Sequence, residues 1–385
     1  MEEKELKPFL EKVLRNFEND EGLVINDLKR TQGSKPGDGF MSEVFGVVVV
    51  GRTGSGEAYT NNLFIKQLPD NPTRVELCQG DAAFQNEAIF YREVEPLIPK
   101  ATSFIPICYH ADEKCLVLEN LRAQGFVMAD KENGLDLKHS ELVIKVMAKF
   151  HACTFELKIR NEKTFSKISS SLRDLYSDEN SLHSKGIEMS LDRGIECLKS
   201  LGDESISDGI KKLESFRGKT FSLLVERKPS NLTVLGHGDF WMNNFMFKDD
   251  AIMVIDYQAL RSMSVSADFW KFVYSSLTPE NIEKHLDLLI SLYYKTFVEH
   301  LKRLQFPSDK IPDEETVNEE LTSQELYGLF IAIALVALLY MDFSDINMDQ
   351  MLSDESLFQP NPDIVKKCGT RLAALVKMCE RRNVL

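Results

Sequence analysis

The sequence has no excess of positive charge. Its 46 Lys and Arg stand against 60 Asp and Glu, a net charge of −14. Nucleic-acid binding needs a basic patch for phosphates, so nucleic acid is not expected as a main partner. It also lacks any C-x-x-C pair. Cys78, Cys108, Cys115, Cys153, Cys197, Cys368 and Cys379 are an odd and scattered set, which suits reduced thiols in a cytoplasmic protein better than a disulfide framework. The first residues, "MEEKELKPFLEKVL", are charged and helical in pattern without an apolar signal core, so secretion is not expected. Long apolar runs are missing too. The uncharged stretch Leu326 to Met341 has sixteen residues, short of the roughly 20 that a membrane span needs, and reads as a buried helix. No internal repeat or low-complexity tract occurs.

What remains is ordinary globular material. At 43% apolar and 28% charged residues a core of normal size is expected, and 385 residues suggest two or three domains at roughly 150 each. Residues 5–20 read as a helix. "GSKPGDGFMSEVFGVVVVG", residues 33–51, is a Gly-rich turn running into a strand, and "YTNNLFIKQLP" returns as a second strand. Residues 81–98 carry helical spacing, and residues 103–119 suggest two more strands, the second in "KCLVLEN". Beyond residue 120 helical patterns dominate. One is capped by Ser140, and others cover 186–216, 279–302, 323–342 and 362–381. Residues 160–185 and 303–320 read as loop-rich. The class is α+β in two lobes, with an N-terminal lobe at 1–120 and a helical lobe at 121–385.

The helical lobe is interrupted once, by "TVLGHGDFWMNNFMFKDDAIMVIDYQAL", residues 233–260. It reads as loop, strand, turn, strand. A hairpin brings its two ends together, so Asn244 at its start lies near Asp256 just past its end, and Asp239 stands in the loop before it. Hard oxygen ligands of this kind suit Mg²⁺, which commonly takes one or two carboxylates and leaves the rest to phosphate and water. The pattern H-x-D-x-x-x-x-N, followed twelve residues later by Asp, matches a phosphoryl-transfer arrangement: catalytic-loop Asp239, metal-binding Asn244 and metal-binding Asp256.

"HGDFWMNN" and "VIDYQ" resemble the ecdysteroid kinase-like, or CHK kinase-like, family, within the aminoglycoside phosphotransferase and choline kinase group. "FIKQLP", "FQNEAIFYREVEPLIP", "LVLENL", "MAKFHACT" and "SADFWKFV" follow in the family's order, so the resemblance covers about residues 25 to 350. It implies a protein-kinase-like fold, with a small β-rich lobe and a larger helical one. It also implies ATP as co-substrate, Mg²⁺ as metal and a small-molecule alcohol as acceptor. Gly37, Gly39 and Ser42 would drape over the phosphates, although Ser42 departs from G-x-G-x-x-G. Lys66, an ammonium inside an apolar strand, would hold the α- and β-phosphates. Its partner would be Glu87 by the family's E-x-x-x-Y spacing, with Glu93 and Glu95 on the same helix as alternatives. Glu119 and Leu121 would present backbone groups to adenine. His237 and Asp268 would hold the catalytic loop, and His151 reads as structural. The family name implies an ecdysteroid-like or other lipophilic alcohol as acceptor. A choline-like or sugar-like acceptor, or a ligand-binding protein without turnover, are the alternatives.

Overall fold

The computed structural model describes residues 3–32, 42–99, 104–131, 133–176, 179, 182–225, 230–340 and 362–385. The chain opens with helix α1 (Glu3–Glu18) and a five-stranded antiparallel sheet built from β1 (Val24–Gln32), β2 (Glu43–Arg52), β3 (Ala58–Gln67), β4 (Cys108–Ala111) and β5 (Cys115–Glu119), in the order β1-β2-β3-β5-β4. Alternation aims Val47 and Val49 of β2 at the core, where they meet Leu6, Leu10 and Leu14 of α1 and Ile65 of β3. Lys66 sits in register with Val44 of β2 and Leu116 of β5, so it is central in the sheet, not on an edge.

Between β3 and β4 lie α2 (Pro72–Leu77) and α3 (Gly80–Ile89). The helix expected over residues 81–98 does not run through unbroken. After Ile89 it widens into a π-helical turn, Phe90–Val94, and ends in a 3₁₀ turn, Glu95–Leu97. The wide turn has a use: Phe90 stacks face to face on Tyr257, with ring centroids 3.5 Å apart.

The second lobe begins with β6 (Val127–Met128) and then α4 (Leu137–Arg160). Asp136, not Ser140, caps α4, accepting from the His139 amide at 2.8 Å. The first turn, Leu137 to Ser140, has a single apolar side chain, too little for an apolar signal, but it is helical all the same. The stretch 160–185, expected to be loop, holds α5 (Glu162–Ser171). Asn161 caps it, and it buries only Phe165 and Ile168. The pattern at 186–216 divides into α6 (Leu182–Ser200) and α7 (Ser207–Glu214), separated at Gly202 with φ +62°. The short α8 (Thr220–Val225) precedes β7 (Thr233–Gly236). The hairpin forms as β8 (Phe245–Lys248) and β9 (Ala251–Val254), with β6 on the outer side of β8. β10 (Arg261–Ser264) pairs with β7 and leads directly into α9 (Val265–Ser276).

Among the described residues four helices complete the lobe: α10 (Pro279–Arg303), α11 (Glu314–Thr322), α12 (Glu325–Tyr340) and α13 (Pro362–Arg381). α11 occupies the end of the stretch 303–320 that reads as loop, capped by Asp313 and burying Val317 and Leu321. α12 is the apolar run, and Leu329 to Ile333 are all buried. Among the described residues no helix is long and apolar enough to cross a membrane. The architecture is α+β in two lobes.

α12 comes very close to α9, and Gly328 makes this possible. A Cβ there would lie 2.4 Å from the Trp270 Cβ and 3.0 Å from its carbonyl carbon. We expect Gly328→Leu to cost about 2 kcal/mol or more through overpacking. Urea unfolding checks this, and a midpoint within error of wild type would contradict the close approach.

Candidate active site

The loop between β7 and β8 is shaped by two glycines. At Gly236 a Cβ would lie 2.5 Å from the Met263 sulfur and 2.9 Å from Asp268 Oδ2. Gly238 has φ +76°, and a Cβ there would meet the Ala259 carbonyl at 2.1 Å. The backbone between them is gripped by Asp268, in the first turns of α9. Asp268 Oδ2 accepts the His237 amide at 2.8 Å and Oδ1 accepts the Gly238 amide at 2.9 Å. His151 of α4 adds its Nε2 at 3.2 Å to Asp268 Oδ2, and its Nδ1 lies 2.8 Å from the Tyr293 hydroxyl of α10. Burial alone would raise the Asp268 carboxyl. The His151 hydrogen bond, followed by the Gly238 amide, helps hold it below the ordinary aspartate range.

His237 cannot serve as a proton acceptor for substrate. Its Nε2 lies 3.1 Å from the Ile255 carbonyl, and its Nδ1 accepts the Asp239 amide at 3.2 Å. The neutral ring with its proton on Nε2 satisfies both bonds. Burial, outweighing the nearby carboxylates, lowers its pKa.

Asp239 is held from three sides. Lys271 of α9 makes an ion pair with Oδ1 at 2.7 Å and also donates to the Gly238 carbonyl at 2.8 Å. Asn244 Nδ2 donates to Oδ2 at 2.8 Å, and the Trp241 indole donates to the same oxygen at 3.2 Å. Burial pushes the Asp239 carboxyl up. Lys271, by its charge and its hydrogen bond, opposes this first, the Asn244 hydrogen bond adds to it, and the net shift is downward. Sequence reasoning missed Lys271. It sits three residues after Asp268, on the same face of an apolar helix, and is 1% exposed. The argument that singled out Lys66, a lysine in an apolar element, applies equally to "DFWKFV".

Lys66 joins the two lobes. Its Nζ lies 2.6 Å from Glu87 Oε2 and 2.6 Å from Asp256 Oδ1. Of the three glutamates on that helical stretch, Glu87 is therefore the partner, while Glu93 pairs with Lys167. Burial would lower the Lys66 pKa, but Asp256 and Glu87 raise it, so it is charged. For Glu87 burial raises the pKa, Lys66 opposes this and Asp256 adds to it. Asn86, beside Glu87, donates to the carbonyls of Gln258 and Arg173, docking α3 onto the second lobe.

Asp256 stands in the left-handed region at φ 68°, ψ 64°, which turns it off the end of β9 toward Lys66. The Ile255 amide bonds the Asn244 carbonyl at 3.0 Å, so the hairpin ends meet. A divalent cation fits here. One lysine serves two carboxylates, which leaves a surplus negative charge, and the Asp256 side chain is 29% exposed. Asn244 has committed its Nδ2 to Asp239, so its carbonyl oxygen is the atom it can offer to a metal. Among the described residues no cluster of three or more His, Cys, Asp or Glu forms a self-contained metal site. A two-ligand oxygen set completed by substrate phosphate and water is the Mg²⁺ pattern.

The remaining expected positions divide. Gly37 and Gly39 lie outside the described residues, and Ser42 is buried just before β2. The Glu119 amide is bonded to the Ile107 carbonyl, and its carboxylate bonds the Ile107 amide at 2.8 Å and Gln124 at 2.5 Å. Its side chain thus braces the end of the sheet. Leu121 follows and is buried, its carbonyl accepting the Phe126 amide.

The model of the ecdysteroid kinase-like family matches residues 36–306, more than half of the chain. No curated protein matches the sequence. Similar solved structures include an ethanolamine kinase of Plasmodium vivax, at 13% identity and TM-score 0.44, with 100% of this chain and 91% of that one covered. A choline kinase of Cryptosporidium parvum has 13% identity and TM-score 0.47, with 100% and 98% covered. A choline/ethanolamine kinase family protein of Mesorhizobium loti has 12% identity and TM-score 0.34, with 92% and 93% covered. On the family match, the chain belongs to the ecdysteroid kinase-like family of small-molecule kinases.

Proposed function

We propose that the protein transfers the γ-phosphoryl group of ATP to a hydroxyl of a small lipophilic alcohol, ecdysteroid-like or foreign to the organism. The observation that carries the reading is the meeting of two clusters across the lobes: Lys66 with Glu87 and Asp256, and Asp239 with Asn244 and Lys271. Lys66, fixed by Glu87, holds the α- and β-phosphates. Asn244 and Asp256 would hold Mg²⁺, which when bound neutralises charge on the phosphates. Gly37, Gly39 and Ser42 cover the phosphates, and Glu119 and Leu121 offer backbone groups to adenine. Asp239 orients the acceptor hydroxyl and takes its proton. A carboxylate held below its usual pKa is a weak base. That suits a loose transition state, in which positioning and electrostatics carry most of the catalysis. The family name and the aromatic groups near Asp239 support a lipophilic acceptor. Trp241 is bonded to Asp239 itself, and Tyr176 and Tyr327 border Lys271.

The experiment is transfer of labelled γ-phosphate from ATP to a panel of steroids, phenols, choline and aminoglycosides. We expect a steroid or phenol to be the best acceptor, and Asp239→Asn to lower its kcat by about 10²–10⁴. Faster turnover of choline than of every steroid and phenol would overturn the acceptor. A variant keeping more than about a tenth of wild-type kcat would overturn the role of Asp239.

The same analysis predicts the pH behaviour of a Lys271 variant. Asp239 must be ionised to accept a proton, and Lys271 is what keeps its pKa down against burial. Removing that charge in Lys271→Met leaves burial less opposed, so the pKa rises and activity is lost on acidification at a higher pH than in wild type. The acid limb of the kcat profile should move to higher pH, and Lys271→Arg should restore part of the shift. A lower kcat with an unmoved limb would make Lys271 a packing residue only.

A further inference from the structure

One surface departs from the acidic character of the chain. A groove of about 280 Å³ opens between α4 and α10, lined by Lys145 and Lys149 from one helix and Lys295 and Arg303 from the other. Glu299 is the one carboxylate in the lining. Lys145 reaches Glu141 at 3.4 Å. Lys149, Lys295 and Arg303 make no ion pair among the described residues. The crowding has a cost: burial first, then the charges of Arg303 and Lys145, lower the Lys149 pKa. Four cations gathered in a chain of net charge −14 are not explained by solubility, which interspersed charge serves better.

The second observation is independent of charge. His300 lines the same groove and is 7% exposed. Its Nε2 lies 3.3 Å from the Cys153 sulfur. Burial raises that thiol to about 12, so it carries its proton, which the tautomer with a bare Nε2 accepts. Burial, with Lys149 and Arg303, lowers His300 to about 4, so the ring is neutral. A neutral ring that accepts at Nε2 bears its proton on Nδ1. That Nδ1 is buried without a hydrogen-bond partner. The groove therefore holds a buried ring nitrogen without a partner, beside three cations that make no ion pair among the described residues.

We propose that this groove binds a small, multiply charged phosphate anion. Lys149, Lys295 and Arg303 supply the charge, and the His300 Nδ1–H supplies a directed hydrogen bond. The site is separate from the phosphoryl-transfer site, because the face of α4 that carries His151 and Thr154 is turned to Asp268 and β7 instead. His151 lies two residues beyond Lys149 and holds Asp268, so an occupant would sit behind the catalytic loop, on the helix pair that braces it.

The test is equilibrium dialysis of the full chain against labelled inorganic pyrophosphate, without Mg²⁺, at about 0.15 M salt. Saturable binding to wild type is expected, weakened about tenfold or more in Lys149→Glu/Arg303→Glu. Lys66→Met should bind as wild type does. Should the double variant misfold by circular dichroism, Lys295→Gln and Arg303→Gln singly are each expected to weaken binding measurably. The proposal is overturned if wild type shows no saturable binding, if the groove variants bind as wild type does, or if Lys66→Met alone loses the anion. Co-sedimentation with phosphatidic acid vesicles in preference to pyrophosphate binding would place the phosphate on a lipid and overturn the soluble ligand.

Discussion

A single ammonium group ties this molecule together. Lys66 comes from the middle of the first lobe's sheet, Glu87 from the helix packed beside it, and Asp256 from the hairpin of the second lobe, and both carboxylates are 2.6 Å from Nζ. An ammonium this deeply buried is tolerated only when paired. The three elements are therefore not independent: moving any one strands a charge. The neighbouring residues of the same helix repeat the message in other chemistry. Asn86 bonds backbone carbonyls of the second lobe, and Phe90 stacks on Tyr257. Three residues of this helical stretch, Asn86, Glu87 and Phe90, thus take part in the contact between the lobes.

The second lobe has its own fixed point, at α9. Asp268 and Lys271 stand one turn apart. The first holds the backbone of His237 and Gly238, and the second holds the carbonyl of Gly238 and the carboxylate of Asp239. α9 is itself set by α12, through the contact at Gly328, and by Arg371 of α13, which donates to the carbonyls of Ser275 and Leu277. The route from the apolar run near the end of the sequence to the carboxylate at Asp239 is thus short. It passes through close backbone packing and buried hydrogen bonds with little slack.

Much of this was legible in the sequence, for physical reasons that can be named. The hairpin announced itself by turn chemistry between apolar strands, and the strand pair of the first lobe by its run of valines. Elements were missed where the signal is weak. α5 buries two apolar side chains, and α11 likewise, so their windows read as loop. The start of α4 was misplaced because its first turn has one apolar residue, Leu137, and a cap is recognised by position relative to the first helical turn, not the start of the apolar pattern. The π-helical turn at Phe90 leaves the spacing nearly helical and cannot be told from it. In the site, spacing brought out Asp239, Asn244 and Asp256, because these are fixed by a local loop and hairpin. Lys271 depends on how α9 lies across that loop, a tertiary fact, although its burial in an apolar helix was a usable hint. The groove cations were dispersed along two helices 150 residues apart, where no local pattern collects them.

The central claim is that the Lys66 cluster, opened toward Asp256, is the place where a metal-bound nucleotide sits. Calorimetric titration of ATP, with and without Mg²⁺, into wild type, Lys66→Met and Asp256→Ala tests it most directly. The account predicts Mg²⁺-enhanced binding to wild type, loss of the Mg²⁺ enhancement in Asp256→Ala, and weaker binding in Lys66→Met under both conditions. Mg²⁺-enhanced binding that is undiminished in Asp256→Ala would contradict it.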